Sequence, residues 1–289
     1  MNSLESRQKL HFPSIIGFSN KELKKIISNI DKYYREWTEQ KKDKNTGLPK
    51  TYKNGKVKER TIRPSKSKLK IIQSRINNRI LNEIELPNNI HGGRKKHSNI
   101  TNAKPHQGKK YILTTDLKDF YPSVKYSSVY QTFLELGFNK QTAYYITRLT
   151  TFKGELPQGT PTSTHISNIV FLKIDLLLID FCSNNGITYT RYIDDLSFSS
   201  QSNFQDHVET LLEIVKNSGF KISWRKTFYN GSQTITGIKI FLNKIDAPEK
   251  ILKKVAEEKL LLANTPKPYT SYRNNIIKTN KKNTPNPGQ

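Results

Sequence analysis

The chain has 289 residues, 34% of them apolar, and its 49 Lys and Arg against 24 Asp and Glu leave a formal net charge of +25. That length allows one large domain or two or three subdomains with a sizeable core. The charge argues against an enzyme of small molecules and asks for an anionic partner, nucleic acid first, because each Lys or Arg set on a phosphate backbone releases a counterion. Solubility, a membrane surface or an AT-rich genome would also supply lysines. The one cysteine, Cys182, excludes an intrachain disulfide and a thiolate zinc site. The longest apolar stretch, Ile166 to Cys182, is interrupted by Lys173, Asp175 and Asp180, and Met1 to Leu10 lacks a signal core, so a cytoplasmic protein with no membrane partner is expected.

In chain order, residues 20 to 40 place Leu23, Ile26, Ile27, Ile30 and Tyr34 at helical spacing behind a cap at Ser19 or Asn20, which predicts an amphipathic helix. The Lys-rich segment Lys41 to Arg63 holds Asn54-Gly55 between β-prone residues and predicts a basic hairpin. Leu69, Ile72, Ile76, Ile80 and Ile84 form one helical stripe. Residues 88 to 110 are a long basic connection, functional or mobile. Tyr111 to Asp116 reads as a strand ending in an acid. Helical patches follow at about 126 to 150 and 162 to 184, joined by the Gly/Pro-bearing segment Gly154 to Pro161. Thr188 to Ser199 reads as two short strands meeting at Asp194-Asp195, residues 204 to 218 as a helix, Lys221 to Leu242 as further strands and Glu249 to Ala263 as a helix. Thr265 to Gln289 is Lys-, Asn-, Pro- and Thr-rich and is expected to be disordered or ordered only by a ligand. No internal repeat is apparent.

Adjacent acids between two β-prone runs belong in a turn, since unpaired carboxylates inside a buried strand are very costly. At a hairpin tip both can reach a hard cation such as magnesium. A lone Asp-Asp pair is more often an ordinary acidic turn, but Asp116 at the end of a second strand supplies a third carboxylate. Three acids from neighbouring strands can hold two metal ions for in-line phosphoryl transfer. Asp119 is read as a turn or helix cap rather than a ligand.

The segments Asp116-Leu117-Lys118-Asp119-Phe120-Tyr121-Pro122-Ser123, Leu156-Pro157-Gln158-Gly159-Thr160-Pro161-Thr162-Ser163 and Tyr192-Ile193-Asp194-Asp195 resemble, in order, the palm motifs of reverse transcriptases. Arg60 to Ile72 is similar to the fingers motif, and Gly219 to Thr227, with Lys226, to a later palm motif; the resemblance spans roughly residues 15 to 245. It implies an α+β right-hand polymerase fold: fingers and N-terminal helices over 1–110, a palm of antiparallel sheet on helices over 111–242 with fingers elements interleaved, and a short or incomplete helical thumb with a polar tail over 243–289. It further implies that Asp116, Asp194 and Asp195 bind two Mg2+ ions and that Lys226 serves the leaving pyrophosphate. Tyr121 would gate against a 2′-hydroxyl, while Leu117, Gln158 and Gly159 contact the incoming deoxynucleoside triphosphate and Arg60 and Arg63 hold its phosphates. Lys226 and Arg60 are equally readable as solvated cations.

Asn102-Ala103-Lys104-Pro105-His106 and Ile235-Thr236-Gly237 resemble the Asn-Ala-x-x-His and Val-Thr-Gly signatures of bacterial retron reverse transcriptases, with Ile in place of Val. The resemblance implies recognition of a structured noncoding RNA through Asn102, His106, Thr236 and Gly237, priming from an internal 2′-hydroxyl, an RNA–DNA duplex as product, an effector protein as possible partner and a role in antiphage defence. His106 as a satisfied loop histidine and Gly237 as a turn constraint are the plainer alternatives. Rival readings are a group II intron, CRISPR-associated or abortive-infection reverse transcriptase and a catalytically silent RNA-binding protein on the same fold. Three acids at those positions argue against silence. Tyr121 argues against a viral RNA-dependent RNA polymerase.

Overall fold

A computed structural model describes residues 4–43, 46–52, 54–231, 233–262 and 264–280. Packing divides the chain into two units interleaved along the sequence, Met1–Leu86 with Asp119–Leu172, and Pro87–Lys118 with Lys173–Gln289. The helix Ser163–Asn184 runs from the first into the second. Among the described residues the strands are β1 Trp37–Gln40, β2 Glu59–Ile62, β3 Tyr111–Asp116, β4 Thr188–Tyr192, β5 Asp195–Ser200, β6 Phe228–Tyr229, β7 Thr234–Ile235, β8 Ile238–Ile240 and β9 Ile245–Asp246. Among the described residues no helix is long and apolar enough to cross a membrane.

The first unit is mainly helical. Its central helix, Ser67–Arg79, buries Leu69, Ile72 and Ile76. The stripe continues into buried Ile80 and Ile84 past the helix end, where a 3-10 turn, Leu81–Glu83, replaces the single helix expected to Ile84. Buried Gln73 ties the unit together: Nε2 donates to Tyr34 Oη at 3.0 Å and to the Leu149 carbonyl at 2.8 Å, and Oε1 accepts from Ser65 Oγ at 2.6 Å. The expected helix over 20 to 40 is shorter. Ser19 and Glu22 form a reciprocal capping box that starts it, Ser28 ends it, and Trp37–Gln40 leaves as β1. Its Trp and Thr suit a strand, and β1 pairs antiparallel with β2. The basic hairpin is present, with a bridge from Thr51 to Val57 and Gly55 in the left-handed conformation at φ 80°. The helical patch at 126 to 150 is two helices, Tyr126–Glu135 and Lys140–Thr150, broken at Gly137 (φ 85°) and restarted by Asn139, which accepts the Thr142 N–H.

The second unit holds two antiparallel sheets, ordered β4-β5-β3-β6 and β7-β8-β9. Strand β5 is interior to its sheet, and Leu196 to Ser200 are all buried. The connection 88–110 is structured: Ser98 caps a short helix, Asn99–Ala103, and a 3-10 turn, Lys104–His106, follows. Ile235, Ile238, Ile240, Ile245 and Ile276 form a second core with Ala103, Ile112 and Ala247. Ile276 belongs to a helix, Pro268–Lys278, inside the tail expected to be disordered. Two ties explain its order: Glu258, near the end of helix Glu249–Lys259, accepts the Tyr269 and Thr270 N–H groups at 2.9 and 2.7 Å, and Arg273 pairs with Asp246 at 3.2 Å. The rest of that tail, 281–289, lies outside the described residues.

Candidate active site

The acids meet because of strand register. Strand β3 pairs antiparallel with β5 so that Asp116 and Asp195 are direct cross-strand partners. Strand β4 pairs with the other edge of β5, and the two-residue turn between them contains Asp194. Asp194 is tied back by its carbonyl, which accepts the Leu117 N–H at 2.9 Å, and the Asp116 carbonyl accepts the Ser223 N–H at 2.8 Å. Backbone hydrogen bonds thus hold the β3 end and the turn before β5 in place.

Lys226, in the 3-10 turn Trp224–Lys226, donates to Asp116 Oδ2 at 2.6 Å. Burial alone would lower its pKa; the hydrogen bond and charge of Asp116, with the charges of Asp194 and Asp195, hold it above the ordinary lysine value. Asp116 is nearly buried while the Lys226 side chain is 58% exposed, so the ammonium sits at the mouth of the acid cluster. Among the described residues no three acid, imidazole or thiolate groups already converge on one point as a metal cage. The donor set nevertheless suits magnesium: hard oxygens only, on adjoining strand ends, with a cation already drawn to one of them.

The other expected site residues of this unit are placed as follows. Leu117 is buried, and its N–H donates to the Asp194 carbonyl. Asn102 and His106 are fully buried. The two His106 ring nitrogens each hydrogen-bond a hydroxyl at 2.7 Å, Ser199 Oγ on β5 and Thr190 Oγ1 on β4. Asn102 reaches Thr236 Oγ1 at 3.4 Å, and Asn99 donates to the Thr236 carbonyl at 3.2 Å. Thr236 and Gly237, at φ 45° and 79°, are the two-residue turn joining β7 to β8, so the two short signatures form one contact. A signature of residue types carries no sign of burial.

In the first unit, Arg63 is held by carboxylates: Nε donates to Glu36 and Nη1 to Glu155, each at 2.6 Å. Its N–H donates to the Gln158 carbonyl at 2.8 Å, so the strand end carrying Arg63 is bonded to the Pro157-Gln158-Gly159 turn. Gly159 has φ 102°, and a Cβ there would stand 3.3 Å from Ile62 Cγ2, so both conformation and space favour glycine. Arg60 pairs with Glu39 at 2.8 Å in an exposed ion pair. Tyr121 Oη and Thr164 Oγ1 are 2.9 Å apart. Asp119, at φ 50°, makes no side-chain cap to the helix it precedes, and its carboxylate lies 3.7 Å from Lys41 Nζ. Sequence reasoning missed Glu36 and Glu155, which nothing in their spacing marks, and the buried pair Asp175 and Arg191. Charges inside apolar or β-prone runs were the available signal for that pair.

Comparison with known proteins shows the family. Residues 40–240 match the family described as reverse transcriptase (RNA-dependent DNA polymerase), and the chain belongs to that family. The retron Ec86 reverse transcriptase of Escherichia coli is 31% identical over 77% of this chain and 68% of its own length. The retron Se72 reverse transcriptase of Salmonella heidelberg is 29% identical over 76% of this chain and 55% of its own length. Within the family the chain is thus of the bacterial retron type, an RNA-directed DNA polymerase. Among solved structures, a telomerase chain from Candida albicans, in complex with a fragment of telomeric RNA, aligns over 62% of this chain and 36% of that one, with 14% identity and a TM-score of 0.40.

Proposed function

We propose that this chain copies part of a structured noncoding RNA into DNA by two-metal phosphoryl transfer, with Asp116, Asp194 and Asp195 as ligands for two Mg2+ ions. The observation that carries the reading is the register: Asp116 faces Asp195 across two hydrogen-bonded strands, and Asp194 occupies the adjoining turn. Bound Mg2+ supplies a lowered pKa for the attacking hydroxyl and neutralisation of charge on the phosphate. Lys226 holds a proton on Nζ beside Asp116 and is the residue placed to offer positive charge or that proton to a leaving pyrophosphate. Tyr121 walls off the 2′ position of the sugar. Gln158 and Gly159 contact the incoming nucleotide, and Arg63, with Arg60, binds its phosphates by exchanging their present carboxylate partners. The antiparallel sheet β4-β5-β3-β6 is the palm, the β1–β2 ribbon and the helices of the first unit are fingers, and the helices Glu249–Lys259 and Pro268–Lys278 serve as thumb. The RNA–DNA product, priming from an internal 2′-hydroxyl and an effector-linked role in antiphage defence follow from the retron type.

The test is Asp194→Ala. Losing one carboxylate from the metal set should lower Mg2+-dependent deoxynucleotide incorporation by on the order of a thousandfold. Incorporation that survives in this variant at the parental rate would refute the assignment.

A further inference from the structure

One buried arginine reaches the turn that carries the two aspartates. Arg191, on β4, is fully buried, and its Nε and Nη2 donate to the two oxygens of Asp175 at 2.8 and 2.7 Å. Asp175, equally buried on the helix Ser163–Asn184, also accepts from Tyr189 Oη at 2.7 Å. The remaining Arg191 nitrogen, Nη1, donates to the carbonyl of Ile193 at 2.8 Å, one residue before Asp194. Ile193 has φ 60°, a conformation that a β-branched residue rarely adopts. Such a residue persists only where its surroundings over-determine it.

A second element presses on the same turn. The Arg191 N–H donates to the Asn89 carbonyl and the His91 N–H to the Arg191 carbonyl, both at 2.8 Å, so residues 89 to 91 run beside β4. Gly92 comes next, and a Cβ on it would stand 2.4 Å from Ile193 Cγ1 and 2.5 Å from Ile193 N. Only glycine lets the backbone approach that closely. The turn is therefore held at its carbonyl by Arg191, and the backbone at Gly92 packs closely against it.

Stability does not explain the ion pair, because apolar residues of similar volume commonly replace a buried pair without loss. Direction does. A planar guanidinium anchored on both oxygens of one carboxylate has its third nitrogen aimed by covalent geometry. We propose that Asp175, Arg191 and Gly92 are positioning residues of the polymerase site, holding the Ile193 turn so that the Asp194 and Asp195 carboxylates can share a divalent ion with Asp116. The proposal rests on the reading of those three aspartates as metal ligands.

Three variants of the full chain test it. Asp175→Leu with Arg191→Met removes the fork while filling its volume, Gly92→Ala pushes on the turn with the ion pair intact, and Arg191→Lys keeps the charge without the fork. Each is measured for thermal unfolding, for Mn2+ binding by electron paramagnetic resonance without substrate, and for kcat and KM on a supplied RNA template with a DNA primer. The double variant and Gly92→Ala should unfold cooperatively, bind Mn2+ about tenfold more weakly and lose about a hundredfold in kcat, with KM for template-primer within about twofold of the parent. Arg191→Lys should fall between them and the parent. Parental Mn2+ affinity and kcat in either folded variant overturn the proposal. Should the double variant not fold, Gly92→Ala decides. If neither unfolds cooperatively, these residues serve stability and the proposal also fails. Asp194→Asn, run in parallel, separates the two levels: if it binds Mn2+ like the parent, the aspartates are not the ligands, whatever the positioning variants do.

Discussion

The sugar gate proposed for Tyr121 has two parts, a ring and a hydroxyl, which can be tested apart. The hydroxyl is shared with Thr164 Oγ1 at 2.9 Å, so Tyr121→Phe loses that bond and keeps the wall. Tyr121→Ala loses both. Single-nucleotide extension should show ribonucleotide use rising relative to deoxynucleotide use by roughly tenfold or more in Tyr121→Ala and staying near the parent in Tyr121→Phe. An unchanged ratio in Tyr121→Ala places the gate elsewhere. His106 gives a pH dependence instead. Burial, then the charges of His91 and Lys109, push its pKa down to about 3. The unfolded chain binds a proton at about 6.5 that the folded chain refuses, so stability from neutral His106 is present above that pH and is lost as the pH falls toward 3. His91, lowered to about 4 chiefly by burial, acts with the same sign. Between pH 7.5 and 5, His106→Gln should lose about 2 kcal/mol less stability than the parent in denaturant titrations. Identical slopes would show that His106 is protonated in the fold. The aspartates were legible in sequence because acids in β-prone runs have so few structural uses. Burial of Asn102 and His106 was not, because it depends on strands β4, β5 and β7 that are distant in sequence.

Elements were legible where a local signal suffices. The stripe Leu69 to Ile84, the capping box at Ser19 and the acidic hairpin each depend on near neighbours. Errors came where a distant partner decides: β1 is a strand because β2 pairs with it, and Pro268–Lys278 is a helix because Glu258 and Asp246 hold it. That second case predicts an outcome. Replacing Glu258 by Ala frees the Tyr269 and Thr270 N–H groups at the helix start, where a carboxylate both bonds and complements the helix dipole. Amide exchange should accelerate over residues 271 to 278 and stay unchanged in Ser67–Arg79. Equal protection in parent and variant would mean that the Arg273–Asp246 pair and buried Ile276 suffice.

At the scale of the whole molecule, a formal charge of +25 predicts how the RNA is held. Affinity for the noncoding RNA should fall by roughly a thousandfold or more from about 50 to about 200 mM salt if six or more phosphates are contacted. A shallow dependence in a filter-binding titration would point to base contacts as the main grip. Charge alone binds any RNA, so the retron reading is better tested by product: expression with the flanking DNA should yield short single-stranded DNA joined to RNA and released by debranching enzyme. Extension of supplied primers only would refute self-priming and leave the polymerase intact.

The interleaving of the two units along the chain sets a timetable for biosynthesis. Residues 1–86 lack the second segment of their own unit until residue 172 has been made, and residues 87–118 wait longer still. At about 5–20 residues per second, the 86 residues from 86 to 172 take roughly 4–17 s. Once residue 116 has been made, and until residue 200, the ribosome carries strand β3, and with it Asp116, without the complete β5 strand that gives the aspartate its partner. On the proposed assignment of Asp116, Asp194 and Asp195, the nascent chain is inert until the Asp194 turn has been translated, and ribosome-bound chains stalled before residue 200 should add no nucleotide to any RNA they meet.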